Sequence, residues 1–179
     1  MKLIGTSSIF PEVKYYESKT FQDHRGKFSK PFFGTLLNDE FNNSYEVIVS
    51  KSKKDVIRGL HFQLPPQDVS KVVFCLEGSI KDVFVDLRSG STNYGKSDFK
   101  YLESETPISI FIPKGFAHGF SVLSKSATVL YLQSGPFSEE HDSGILYSSA
   151  DIDWEIRTPV LSEKDNNLID LKKFQTPWK

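Results

Sequence analysis

The chain has 179 residues, with 22 Lys plus Arg against 23 Asp plus Glu and a formal net charge of −1. That length suits one domain spanning 1–179, with a core large enough to fold without staples and no room for two full domains. The even charge balance argues against wholesale binding to nucleic acid or a membrane surface, while permitting a local basic pocket. The start Met1-Lys-Leu-Ile-Gly-Thr6 lacks the apolar region of a signal peptide, and Thr35 to Phe41 has room for a short helix. Strands are expected over Tyr45 to Ser50, Val56 to Gln63, Lys71 to Leu76, Ser79 to Leu87, Ile108 to Pro113, Phe120 to Leu123 and Ala127 to Leu132, where β-branched and aromatic residues run between Gly, Pro, Ser and Asn. Cys75, alone in its apolar run, can form no intramolecular disulfide, which favours a cytoplasmic location. Within Ser79 to Leu87, Val83, Val85 and Leu87 alternate with Asp82, Phe84 and Asp86, so one face is polar enough to meet water or a ligand. Ser162-Glu-Lys-Asp165 ahead of Leu168 and Leu171 has the form of a capping box opening a short helix. No apolar stretch approaches the ~20 residues that cross a bilayer. The pattern is all-β, a jelly-roll barrel or sandwich with short peripheral helices.

Of the 4 histidines, His118 ends Ile112-Pro-Lys-Gly-Phe-Ala-His118-Gly119, the Pro-x-Gly-x-x-His spacing of the second cupin motif. A metal-binding cupin also needs a His-x-His pair, because residues two apart on a strand share a face. Here the pair reads His61-Phe62-Gln63, and an amide is a poor substitute for imidazole on a transition metal. No catalytic metal is expected, and an unligated His61 is free to take a proton near neutral pH.

The segments Phe21-Gln-Asp-His-Arg25-Gly26, Val56-Ile-Arg58-Gly-Leu-His61-Phe-Gln63, Lys71-Val-Val, Asp82-Val-Phe-Val-Asp86-Leu-Arg88, Ile112 to Phe120 and Leu161-Ser-Glu-Lys-Asp165 follow one another in the order and spacing of the dTDP-4-dehydrorhamnose 3,5-epimerase family, which the chain resembles over most of its length. The resemblance implies a cupin-like jelly roll, a homodimer, no cofactor, and inversion at C3, C5 or both in a nucleotide-diphosphate-linked 4-keto-6-deoxyhexose. It makes His61 the base, Asp165 the carboxylate that holds its tautomer, Lys71 the cation facing the 4-keto oxygen and Tyr131 the acid on the far face. Arg25, Arg58, His118 and Gln63 fall at substrate-binding positions, while Asp82, Asp86 and Arg88 form a polar network without a catalytic step.

The pattern departs from the family mainly around binding. Lys30 stands where a glutamate is usual, Glu46 and Ile48 where Gln-x-Asn is common, Gly135-Pro136-Phe137 where tyrosines cluster, and Tyr147-Ser148-Ser149 where Trp-Asn-Asp is usual. These changes keep open a CDP- or GDP-linked substrate, a one-carbon epimerase, or a non-catalytic sugar-nucleotide-binding cupin. A metal-dependent cupin enzyme is a further alternative, suggested by Pro113 to His118.

Overall fold

The computed structural model describes residues 2–31, 41 and 46–179; the helix expected over Thr35 to Phe41 lies outside them except for Phe41. The strands are β1 (Lys2–Thr6), β2 (Lys14–Glu17), β3 (Lys19–Asp23), β4 (Gly26–Lys30), β5 (Glu46–Lys53), β6 (Ile57–Gln63), β7 (Lys71–Glu77), β8 (Ser79–Asp86), β9 (Ser97–Glu103), β10 (Ile108–Ile112), β11 (Phe116–Val122), β12 (Ser126–Gln133) and β13 (Asp142–Gly144). A 6-stranded sheet, ordered β1-β2-β10-β7-β12-β5, faces a 5-stranded sheet ordered β13-β6-β11-β8-β9. All pairings are antiparallel, and strands hopping between two facing sheets are the jelly-roll arrangement. β3 and β4 form a separate hairpin.

Period-two alternation sorts the side chains into layers. Phe10, Val73, Cys75, Phe84, Ile110, Phe116, Phe120 and Val129 point inward and fill the space between the sheets. Leu60, Phe62, Val83, Val85 and Ala117 point outward from the 5-stranded sheet into a second apolar layer, covered by Trp154, Phe174 and Trp178. The chain after β13 is therefore the lid of this layer, and Phe62 packs edge-on to Trp178 with ring centroids 5.4 Å apart.

Both faces of β8 are buried, and its alternation has a different meaning from the one expected. Asp82 and Asp86 face neither water nor the cavity, and each instead meets a basic side chain. Asp86 takes two hydrogen bonds from the Arg88 guanidinium, both at 2.8 Å, and that pairing outweighs burial to hold its carboxyl below the usual range. Asp82 meets His118 (below).

The two glycines where β6 and β11 cross have no room for a side chain. A Cβ on Gly59, whose φ is +111°, would lie 2.6 Å from the His118 carbonyl, and one on Gly119 would lie 2.5 Å from the Arg58 carbonyl. Backbone thus meets backbone, the register slips between His118 and Phe120, and His118 sits directly opposite His61.

Candidate active site

A cavity of about 230 Å³ opens at one end of the sandwich, lined by residues of both sheets. β6 and β11 supply Arg58, His61, His118, Gly119 and Phe120; β5, β7 and β12 supply Ile48, Ser50, Lys71, Tyr131 and Gln133.

His61 Nε2 lies 2.6 Å from Asp165 Oδ1, with the histidine side chain 31% exposed and the aspartate side chain 4%. The carboxylate accepts, so Nε2 carries the proton and Nδ1 is left with its lone pair. Burial raises the Asp165 carboxyl, but hydrogen bonds from His61, Ser162 and the Gly59 backbone outweigh it and leave the group below the usual range. The expected capping box forms over the short helix α1 (Glu163–Asn166), and Ser162 Oγ accepts from the Asp165 backbone N–H at 3.1 Å. Capping and catalytic readings of Asp165 are compatible: its N–H serves the helix start while its carboxylate serves the histidine.

Lys71 begins β7 opposite Gln133. Its ammonium donates to the His61 carbonyl at 3.4 Å. Burial lowers its pKa to about 8, against the opposing pull of Asp142 and Asp82. Tyr131 is half-buried on β12, edge-on to the His118 ring at 5.8 Å between centroids. Burial raises its phenol strongly; the Ser50 hydroxyl, which approaches it short of a complete hydrogen bond, offsets little of that. The phenol is therefore protonated throughout the physiological range.

His118 and Asp82 make a buried pair beneath these groups, Nε2 to Oδ1 2.8 Å, with side chains 4% and 0% exposed. Desolvation raises the Asp82 carboxyl despite the histidine, and its second oxygen has no protein partner among the described residues. Arg58 donates from Nε to Ser52 at 2.8 Å. That bond steers the guanidinium along the cavity wall and leaves its terminal nitrogens without protein partners among the described residues.

The remaining expected ligands lie elsewhere. Gln63 shares the His61 face of β6 but does not line the cavity: its amide donates to the backbone carbonyls of Gln67 and Pro136 and accepts from the Ser138 N–H, so it ties two loops together. Arg25 is on the β3–β4 hairpin and bridges Asp23 at 2.6 Å. Among the described residues no cluster of three or more His, Cys, Asp or Glu is placed to hold a metal, and no helix is long and apolar enough to cross a membrane.

Ser50, Gly119, Phe120 and Gln133 line the cavity without having been singled out from the sequence. Their signal was available: Gln133 is two residues beyond Tyr131, and Ser50 two beyond Ile48, on strands whose alternate positions face inward.

The family model for dTDP-4-dehydrorhamnose 3,5-epimerase matches residues 7–173. A dTDP-4-dehydrorhamnose 3,5-epimerase of Shigella flexneri is 40% identical over 172 residues, covering 93% of this chain and 94% of that one. A dTDP-4-dehydrorhamnose 3-epimerase of Streptomyces niveus is 36% identical over 169 residues, covering 92% and 79%. Among solved structures, the dTDP-6-deoxy-D-glucose-3,5-epimerase of Legionella pneumophila in complex with dTDP-4-keto-L-rhamnose superposes with a TM-score of 0.89 at 33% identity, covering 96% of this chain and 93% of that one.

Proposed function

We propose, for a chain that belongs to the dTDP-4-dehydrorhamnose 3,5-epimerase family, that this cavity inverts C3 and C5 of a dTDP-linked 4-keto-6-deoxyhexose. The protein is a sugar-nucleotide epimerase, and the observation that supports these residue roles is the position of its proton-transfer groups on facing sheets. His61 projects from β6 of one sheet and Tyr131 from β12 of the other. A ring held between them loses a proton on one face and gains one on the other, which is inversion.

A C–H next to a ketone is acidic because its electron pair moves onto the keto oxygen as an enolate. His61 Nδ1 takes the proton, and Asp165 stabilises the imidazolium formed. The Lys71 ammonium meets the negative oxygen, a type of contact worth about 3 kcal/mol of barrier. Tyr131 then protonates the carbon from the opposite side, the ketone re-forms, and solvent exchange resets the phenolate and imidazolium. Arg58 suits the diphosphate, since its free guanidinium edge donates paired hydrogen bonds. His118 is held by Asp82 against Tyr131 and supports the phenol from below.

The test is turnover in heavy water with dTDP-4-keto-6-deoxyglucose. Deuterium at C3 and C5 of an inverted product is expected; no incorporation at either carbon refutes the reading. The Streptomyces niveus relative, named a 3-epimerase, favours a second outcome, label and inversion at C3 alone.

The outer face of the 6-stranded sheet supports a homodimer. Val47 and Val49 are 54% and 58% exposed on the edge strand β5, while Leu132, Val72 and Phe74 of the neighbouring strands are already buried within the chain. Exposed valines at the edge of a sheet suit contact with a second copy. Val49→Glu is expected to shift the particle mass from dimer to monomer in light scattering, and an unchanged mass would remove this face from the interface.

A further inference from the structure

One polar wall of the cavity has no part in the proton transfers above. Gln133 lines it next to Lys71 and is itself only 6% exposed. Its amide nitrogen donates to Glu46 Oε2 at 3.2 Å and to the Gly135 carbonyl at 3.1 Å. Glu46 Oε2 also accepts from the Phe137 N–H at 2.7 Å, so the carboxylate is held from two sides. An ionised carboxylate and a backbone carbonyl can only accept. Both donors of the Gln133 amide are therefore committed to them, and a flipped amide would set its oxygen against two oxygens. The orientation follows from this chemistry, and the remaining atom, Oε1, is an acceptor with no protein partner among the described residues.

An acceptor in this wall cannot help the enolate, which it would repel. It suits a hydroxyl. We propose that Gln133 determines specificity by accepting a hydrogen bond from the sugar hydroxyl beside the ketone, the 3-hydroxyl, with Glu46 as the positioning residue that keeps its carbonyl turned to the ring. The assignment rests on the epimerase reading above. Because Lys71 faces the keto oxygen and Gln133 is its direct neighbour across β7 and β12, the pair reads a ketone and an adjacent hydroxyl as a unit. Substrates lacking that hydroxyl leave Oε1 without a donor, and buried groups left unpaired are what discriminate against deoxygenated analogues.

The test compares dTDP-4-keto-6-deoxyglucose with its 3-deoxy analogue, following deuterium uptake at the carbons flanking the ketone. Wild type, Gln133→Leu and Glu46→Gln are measured for kcat/KM on both. The preference of wild type for the hydroxylated substrate is expected to shrink about tenfold in Gln133→Leu, because only that substrate loses a hydrogen bond. Glu46→Gln, which frees the amide to turn, is expected to shrink it about threefold. A ratio of two substrates is independent of how much enzyme is folded; where the leucine variant yields no folded protein, Glu46→Gln decides. An unchanged preference in Gln133→Leu, with both substrates slowed equally, overturns the proposal and leaves the epimerase reading standing. No exchange by wild type on either substrate overturns both.

Discussion

Asp165→Asn isolates the group on which the base depends. The substitution keeps the volume of a nearly buried side chain and removes its charge. In the folded chain the carboxylate accepts from His61 at 2.6 Å, and the nearby Gly59 backbone N–H further favours its charge. Asparagine offers one carbonyl oxygen and turns an NH2 group toward the other donor, so either the tautomer or the ring position of His61 is lost. The His61–Asp165 contact is 2.6 Å; taking charge centres about 4 Å apart and an effective dielectric of about 20, imidazolium and carboxylate attract by about 4 kcal/mol, or roughly 10³ in rate. The imidazole edge that meets solvent recovers part of that, so kcat is expected to fall about 10²–10³-fold with KM nearly unchanged. The assay is the initial rate of deuterium entry at C3 and C5. A variant within about threefold of wild-type kcat would refute the role given to the pair. Stability provides a check on the same group. The folded carboxyl lies below its ordinary value, so its contribution is present above the unfolded pKa of about 3.9 and is lost as pH falls through the folded one. Asp165→Asn is expected to flatten that part of the acid unfolding curve.

Lys71 gives activity and stability opposite slopes. With its folded pKa near 8, kcat/KM is expected to fall as pH rises through about 8, while this group's effect on folding becomes more favourable between that value and the unfolded one of about 10.4; a flat rate profile across pH 7–9 removes Lys71 as the enolate's cation. Lys71→Met should cost about 10²–10³ in kcat and abolish that limb, checked by the same rate profile. Tyr131→Phe should let deuterium enter substrate while inverted product becomes scarce, read by mass and coupling constants in one NMR experiment; normal inversion would place the acid elsewhere. Gly59→Ala should lower stability by about 2–5 kcal/mol in urea, since a positive φ and a blocked crossing act together; a loss below about 0.5 kcal/mol would show that β6 and β11 can part without harm.

The central strands were legible because most bury both an inward and an outward face, which writes near-continuous runs of β-branched and aromatic residues, such as Val72 to Cys75 in β7, into the sequence. β1, β2, β3 and β4 escaped notice. β1 is an edge strand and β3 and β4 lie apart from both sheets, so hydrogen bonding to a neighbour holds them more than any apolar period, whereas β2 has only 4 residues and its adjacent buried pair Tyr15-Tyr16 shows no alternation. β9 was missed for a related reason, as an edge strand whose Phe99 and Tyr101 stay exposed. The ring of Phe99 instead lies 4.1 Å from the Lys81 ammonium, which also donates to Asp153 and Glu155 and so fastens the covering segment.

His61 stood out by its motif, and Lys71, Tyr131 and Asp165 were reached through the resemblance to the epimerase family, whose proton transfer beside a ketone calls for a base, a cation and an acid. Their partners could not be reached in that way. Gln63 shares a strand face with His61, yet loop carbonyls claim its amide; Gln133 carries no motif, yet it lines the cavity with one acceptor turned free. A sequence specifies what each side chain can donate or accept. Which groups are already satisfied, and which still face the cavity, depends on residues such as Glu46 and Gln133, 87 positions apart, and only the folding of two sheets against each other brings these into contact.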